Sequence, residues 1–141
     1  MFLDASAIVA VLLREAEAPL LLKAMEAARG KLRYSPLVRI EAVERLVRRK
    51  AERAGKASGA AEDFAEAAEL VLGFLAAVEA REMHITTGMG EEAVRVLAVY
   101  GAAAGHPAQL DLAGALTYAC AKAYHIPVLA SDDRFKGTDI A

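Results

Sequence analysis

Residues 1–15 read Met-Phe-Leu-Asp-Ala-Ser-Ala-Ile-Val-Ala-Val-Leu-Leu-Arg-Glu, and this stretch decides the fold class. An apolar run, Met1 to Leu3, ends on the carboxylate Asp4. Ser6 follows, and then Ile8, Val9, Val11, Leu12 and Leu13 lead to Arg14 and Glu15. That order spells a buried strand, a turn and a helix. In an open parallel sheet, ligands gather outside the carboxyl ends of the strands, which makes Asp4 the first candidate for chemistry. Taken by itself, Asp4 serves equally well as the N-cap of the helix.

Working outward, Leu20 to Ala28 supports a second helix closed by Gly30, and Leu32 to Tyr34 a short strand. Ser35 then caps a helix that carries Pro36 in its first turn and ends near Gly55. Ile40, Val43, Leu46 and Val47 lie on one side of this helix, with Arg45, Arg48, Arg49, Lys50 and Arg53 largely elsewhere, so it is amphipathic and strongly basic. Ala60 to Ala80 resumes as a helix. Met83 to Thr86 is a strand candidate, Glu91 to Ala104 and Leu110 to Tyr124 are helices, and Pro127 to Ala130 is a buried strand running into Ser131-Asp132-Asp133. Short apolar strands alternating with helices predict an α/β sandwich with a mainly parallel sheet. With 141 residues and no linker, repeat or low-complexity tract, the chain reads as a single domain, 1–141.

Composition narrows the function classes. A formal charge of −2 excludes a globally basic nucleic-acid binder and leaves room for a local basic face. The one cysteine, Cys120, sits in an alanine-rich run and reads as a small buried apolar residue. The N-terminal apolar stretch lacks a basic leader and is interrupted at Asp4, and no window approaches a membrane span, so a cytoplasmic protein is expected. Gly-rich phosphate loops, Cys-x-x-Cys pairs and Gly-x-Ser-x-Gly elbows are absent. His84, His106 and His125 read as structural.

The remaining chemistry is acidic. Asp4 follows the first strand, Asp132 and Asp133 the last, Glu41 begins the face of the helix after the second strand, and Asp111 opens a later helix. Brought together they form an oxygen-rich pocket for Mg2+ or Mn2+, because hard divalent ions take carboxylate oxygens and clustered carboxylates need a cation to offset their repulsion. Such an ion lowers the pKa of a water nucleophile and neutralises charge on a phosphoryl group. Each residue also has a plainer reading: Glu41 as part of a solvated helix face with Glu44 and Arg45, and Asp132 and Asp133 as turn formers before Phe135. Their joint placement is what favours a metal centre.

Phe-Leu-Asp-Ala-Ser-Ala, residues 2–7, resembles the opening of PIN domains, and Ser-Pro-Leu-Val-Arg-Ile-Glu, residues 35–41, resembles their second motif, with Glu41 on its acid. Tyr100 to Lys122 and Ile126 to Ile140 resemble the third-motif and C-terminal regions of VapC toxins, so the resemblance covers nearly the whole chain. It implies an α/β/α sandwich and a metal-dependent endoribonuclease in which Asp4, Glu41, Asp132, Asp133 and Ser6 are catalytic. Asp4, Asp132 and Asp111 would hold the ion, and Ser131 would orient ligands from behind. Arg39, Arg45, Arg48, Arg49 and Arg53 would edge an RNA groove, the plainer alternative being a solvated basic face. The resemblance further implies a VapB-like antitoxin, a homodimer and possible higher toxin–antitoxin assembly, for which Leu12, Leu13 and Leu20 to Leu22 offer apolar surface.

One position departs from the family pattern Leu-Asn-x-Gly-Asp-x-x-x-Tyr. This chain reads Leu110-Asp111-Leu112-Ala113-Gly114-Ala115-Leu116-Thr117-Tyr118, which puts Gly114 where the resemblance expects the third acid. Asp111 lies on the same helix face to within about 60°, about 4.5 Å away along the axis. Three accounts stand open: Asp111 takes over, the protein is a natural low-activity variant, or the sequence carries an inactivating change. The corresponding alternative function is a catalytically impaired binding partner. A phosphotransfer protein, also built on a strand-end Asp with Mg2+, fits less well because position 6 is Ser.

Overall fold

The computed structural model describes residues 1–140. Its elements run β1 (Phe2–Leu3), α1 (Ala5–Leu12), α2 (Ala18–Ala27), β2 (Arg33–Tyr34), α3 (Pro36–Arg53), α4 (Ala61–Ala77), β3 (Arg81–Glu82), α5 (Thr87–Tyr100), a 3-10 turn (Ala102–Ala104), α6 (Leu112–Ala123) and β4 (Val128–Leu129). The sheet order is β3-β2-β1-β4 and every pairing is parallel, so the expected α/β architecture with a short parallel sheet is present. Phe2 pairs with Arg33 on one side and with Val128 on the other, and Leu3 pairs with Leu129. The chain thus leaves β1 in one direction and returns as β4 in the other. This makes the β1/β4 edge the topological switch point, where parallel sheets open a crevice.

The strand ends are held in register by two flanking bonds: the Phe2 N–H donates to Pro127 O at 2.8 Å, and the Asp4 N–H donates to Leu129 O at 3.0 Å. Phe2, Leu3, Ile8, Leu32 and Val38 are fully buried and join α1 to α4 in one apolar core. Val96, Leu110, Tyr118 and Phe135 form a second cluster between α5, α6 and the C-terminal loop. Cys120 is buried, as its alanine-rich context predicts.

Several boundaries differ from the sequence expectation. The third strand lies at Arg81–Glu82 and not at Met83–Thr86, because the latter segment runs into Thr86, whose hydroxyl accepts from Met89 N and starts α5. Helix α5 stops at Tyr100, and the alanines after it form the 3-10 turn. Asp111, not Leu110, marks the start of α6: its side chain accepts from Gly114 N at 2.7 Å. Leu21, grouped by sequence with a partner surface, is buried in the core, whereas Leu20 and Leu22 are exposed.

Candidate active site

Of the two roles that the sequence left open for Asp4, the capping role is visible directly. Asp4 N-caps α1, accepting from the Ser6 N–H at 2.9 Å, and its side chain is 0% exposed. The Ser6 hydroxyl donates to the same oxygen, Oδ2, at 2.6 Å, which leaves Oδ1 buried with no hydrogen-bond partner. Ser6 Oγ in turn accepts from Ser131 N at 3.0 Å, and the Ser131 hydroxyl donates to Glu17 at the start of α2. The loop after β4 is therefore fastened through Ser131 to the end of β1 and to α2.

Glu41 reaches the same place from α3. Its side chain is 13% exposed, its Oε1 accepts from Arg45 at 2.6 Å and from Arg134 at 3.0 Å, and its Oε2 is buried without a partner. Asp132 Oδ2 lies 3.5 Å from Arg45 and 3.4 Å from Arg134. Asp111 Oδ1, besides capping α6, lies 3.7 Å from Arg134 Nη1, the atom that also stands 3.7 Å from Asp4 Oδ1. Asp4, Glu41, Asp111 and Asp132 thus meet around one guanidinium.

Burial, more than the nearness of other carboxylates, raises the acids of this centre. Burial, and then the Asp4 charge, pushes the Glu41 carboxyl up to about 7, against the pull of Arg45. Burial also raises Asp132 above the ordinary carboxylate range. It raises Asp4 too, opposed by the two bonds from Ser6. In all three the largest cause is burial, which disfavours the charged carboxylate.

Three sequence expectations are corrected here. Asp133 points away: its side chain is 75% exposed and pairs with Lys136, so of the Asp132-Asp133 pair only Asp132 turns inward. Arg39 pairs with Glu82 on the β3 side, away from the carboxylates. Arg45 bridges Glu41 and Asp132 and also lines the cleft shared with Arg48 and Arg49. Arg53 lines an apolar groove between α3 and α4. Arg48 and Arg49 flank the acidic centre. They line a cleft of about 310 Å³ beside Ser6, Ser131 and Asp132, but pair there with Glu44 and Glu15.

Sequence reasoning missed Arg134. A counter-charge was required by the argument that clustered carboxylates repel, and the nearest cation to Asp132 along the chain is Arg134; that was the available signal. Phe135, only 3% exposed, anchors the loop next to Arg134, whose side chain reaches Glu41 and Asp132. His106 behaves as the structural residue expected, with Nδ1 accepting from Ala108 N.

Hard divalent ions need carboxylate oxygens with free lone pairs, and the unpartnered Asp4 Oδ1 and Glu41 Oε2 meet that requirement. The donor set fits Mg2+ or Mn2+. Among the described residues, however, no three acids are drawn into a coordination shell, and Arg134 lies beside Asp4 and Glu41.

The family model for PIN domains matches residues 1–141. A VapC ribonuclease of Rhizobium meliloti (strain 1021) is 38% identical over 139 residues, spanning 99% of this chain and 98% of that protein. Among solved structures, VapC20 of Mycobacterium tuberculosis, a sarcin-ricin loop cleaving toxin, matches with a TM-score of 0.70 over 99% of this chain and 95% of its own, at 17% identity. At that identity the likeness speaks to the fold.

Proposed function

We propose, from the premise that this chain belongs to the PIN-domain family and within it to the VapC ribonucleases, that the centre around Asp4 is the metal-dependent active site of an endoribonuclease toxin. The observation that carries this reading is the pair of buried, unpartnered carboxylate oxygens, Asp4 Oδ1 and Glu41 Oε2, at the β1/β4 switch point. Asp4, Glu41 and Asp132 would hold Mg2+ or Mn2+, with Asp111 supplying the acid that Gly114 lacks. Bound there, the ion supplies Lewis-acid activation of water and offsets charge on the phosphodiester.

The protein's own groups do the rest. Ser6 and the loop at Ser131 fix the Asp4 carboxylate, so its free oxygen needs no reorganisation. Arg45 bridges Glu41 and Asp132. Arg48 and Arg49, at the rim of the cleft, would meet RNA phosphates by exchanging their Glu44 and Glu15 partners for the polyanion.

Asp111 is supported as the replacement acid by its approach to Arg134 and by its packing on residue 114. A Cβ at Gly114 would lie 3.0 Å from Asp111 Oδ1 and 3.1 Å from Leu110 Cδ2. Position 114 is thus fitted around the Asp111 carboxylate and has little room for a side chain of its own.

Partners follow from the family and from apolar surface. A groove of about 490 Å³ between α3 and α4, lined by Leu13, Leu46, Val47 and Leu70, suits the apolar face of a VapB-like antitoxin segment. Exposed Val94 and Val99 on α5 offer a face for a homodimer. Residues 1–141 are read as one PIN domain. No helix among the described residues is long and apolar enough to cross a membrane, and the cytoplasm is the proposed location.

The deciding experiment is cleavage of an RNA substrate by the purified protein with Mn2+, beside Asp4→Asn. Cleavage that EDTA and Asp4→Asn both abolish is expected, and it would set aside a binding-only role. Cleavage unaffected by Asp4→Asn would overturn the assignment of the site.

A further inference from the structure

Arg134 is placed as a cation in a metal centre would be. Its side chain is 14% exposed; Nη2 lies 3.0 Å from Glu41, Nε 3.4 Å from Asp132, and Nη1 3.7 Å from both Asp4 and Asp111. Yet the only hydrogen bond its side chain makes among the described residues goes from Nη2 to Glu41, and Nη1 is buried with no partner. A guanidinium built to clamp a carboxylate does so through two parallel bonds. Here it is held mostly by charge, at distances that suit a placeholder.

A second observation concerns space. A Cβ at position 114 would stand 3.5 Å from Arg134 Cδ, in contact with the arginine stem. A larger side chain there would contend with that stem and with Asp111 for one volume. The stem of Arg134 thus passes close to position 114, on the same side of α6 as the Asp111 carboxylate.

We propose that Arg134 is an exchangeable internal cation, holding Asp4, Glu41, Asp111 and Asp132 together in the metal-free protein and competing with the divalent ion for the centre. Mg2+ binds its oxygens at about 2.0–2.1 Å. At that position it would crowd a guanidinium 3.0–3.7 Å from the same acids. Both cations cannot occupy the centre, so metal entry requires the side chain to swing outward, while the buried Phe135 keeps its backbone in place. The cost of that exchange lowers metal affinity and makes the empty centre stable without metal.

This inference rests on the metal-dependent reading above, and the test separates the two. Mn2+ affinity of the full chain is measured by calorimetry, and thermal midpoints are recorded in EDTA and in Mn2+, for the unmodified protein, Arg134→Met and Arg134→Lys. Expected is Mn2+ binding about tenfold tighter in Arg134→Met, a lower midpoint in EDTA and a larger rise on adding Mn2+, with Arg134→Lys between. In the unmodified protein, the Arg134 Nε–H NMR signal should shift on titration with Mg2+, which decides the matter even if Arg134→Met folds poorly. Equal Mn2+ affinity in all three proteins, or a signal unmoved at Mg2+ saturation, would overturn the role of Arg134 and leave the metal site standing. Failure of every protein to bind Mn2+ would overturn both.

Discussion

The Ser131 N–H donates to Ser6 Oγ at 3.0 Å across 125 positions of sequence, and Ser6 passes that constraint to Asp4 through its own 2.6 Å bond. Ser6→Ala removes the relay and leaves a part-buried N–H at Ser131 without its acceptor. The expected loss is about 1–3 kcal/mol of unfolding free energy, together with weaker Mn2+ binding. Urea unfolding with and without Mn2+ reads both effects; an unchanged midpoint would show that the relay is not structural.

Asp111 performs two tasks that substitution can separate. Asn caps a helix about as well as Asp, whereas Ala costs roughly 1 kcal/mol at such a position. Asp111→Asn is therefore expected to keep the thermal midpoint and weaken Mn2+ binding, and Asp111→Ala to lower both. If Asp111→Asn binds Mn2+ as tightly as the unmodified chain, Asp111 is a cap and nothing more.

Stability of the metal-free protein should fall with rising pH. The Glu41 carboxyl titrates near 7 in the folded protein against 4.5 ordinarily, so the folded state retains a proton that the unfolded chain has released. The stabilisation from that proton is fully present below about 4.5 and is lost as pH rises through about 7, amounting to at most about 3 kcal/mol. Asp4 and Asp132, also raised, act in the same sense. Urea midpoints in EDTA between pH 5 and pH 8 should decline, and decline less steeply in Glu41→Gln; parallel curves would exclude Glu41 as the source.

RNA binding by the Asp4→Asn protein should weaken with salt. If Arg48 and Arg49 each meet one phosphate, replacing both by Ala should reduce the slope of log affinity against log salt by about 1.4. An unchanged slope would mean that they remain with Glu44 and Glu15 and form a solvated face.

What the sequence determined by itself was local. A strand ending in Asp4, the capped helices after Asp4 and Ser35, and the alternation that demands a parallel sheet are written in spacing over a few residues, where periodicity and capping chemistry act. Asp4, Glu41 and Asp132 were legible because strand ends and helix starts converge at a switch point. Shifts such as β3 at Arg81–Glu82 were not, since a two-residue strand carries no period and is chosen by its neighbour β2. The tertiary structure alone decided that Asp132 turns inward while Asp133 faces Lys136, that Asp111 leans on Gly114, and that Arg134 lies among four acids. Those outcomes depend on side-chain directions in an irregular loop and on charges brought together from positions up to 130 residues apart, as with Arg134 and Asp4. Such balances are settled by packing and desolvation in the folded chain, and no local pattern encodes them.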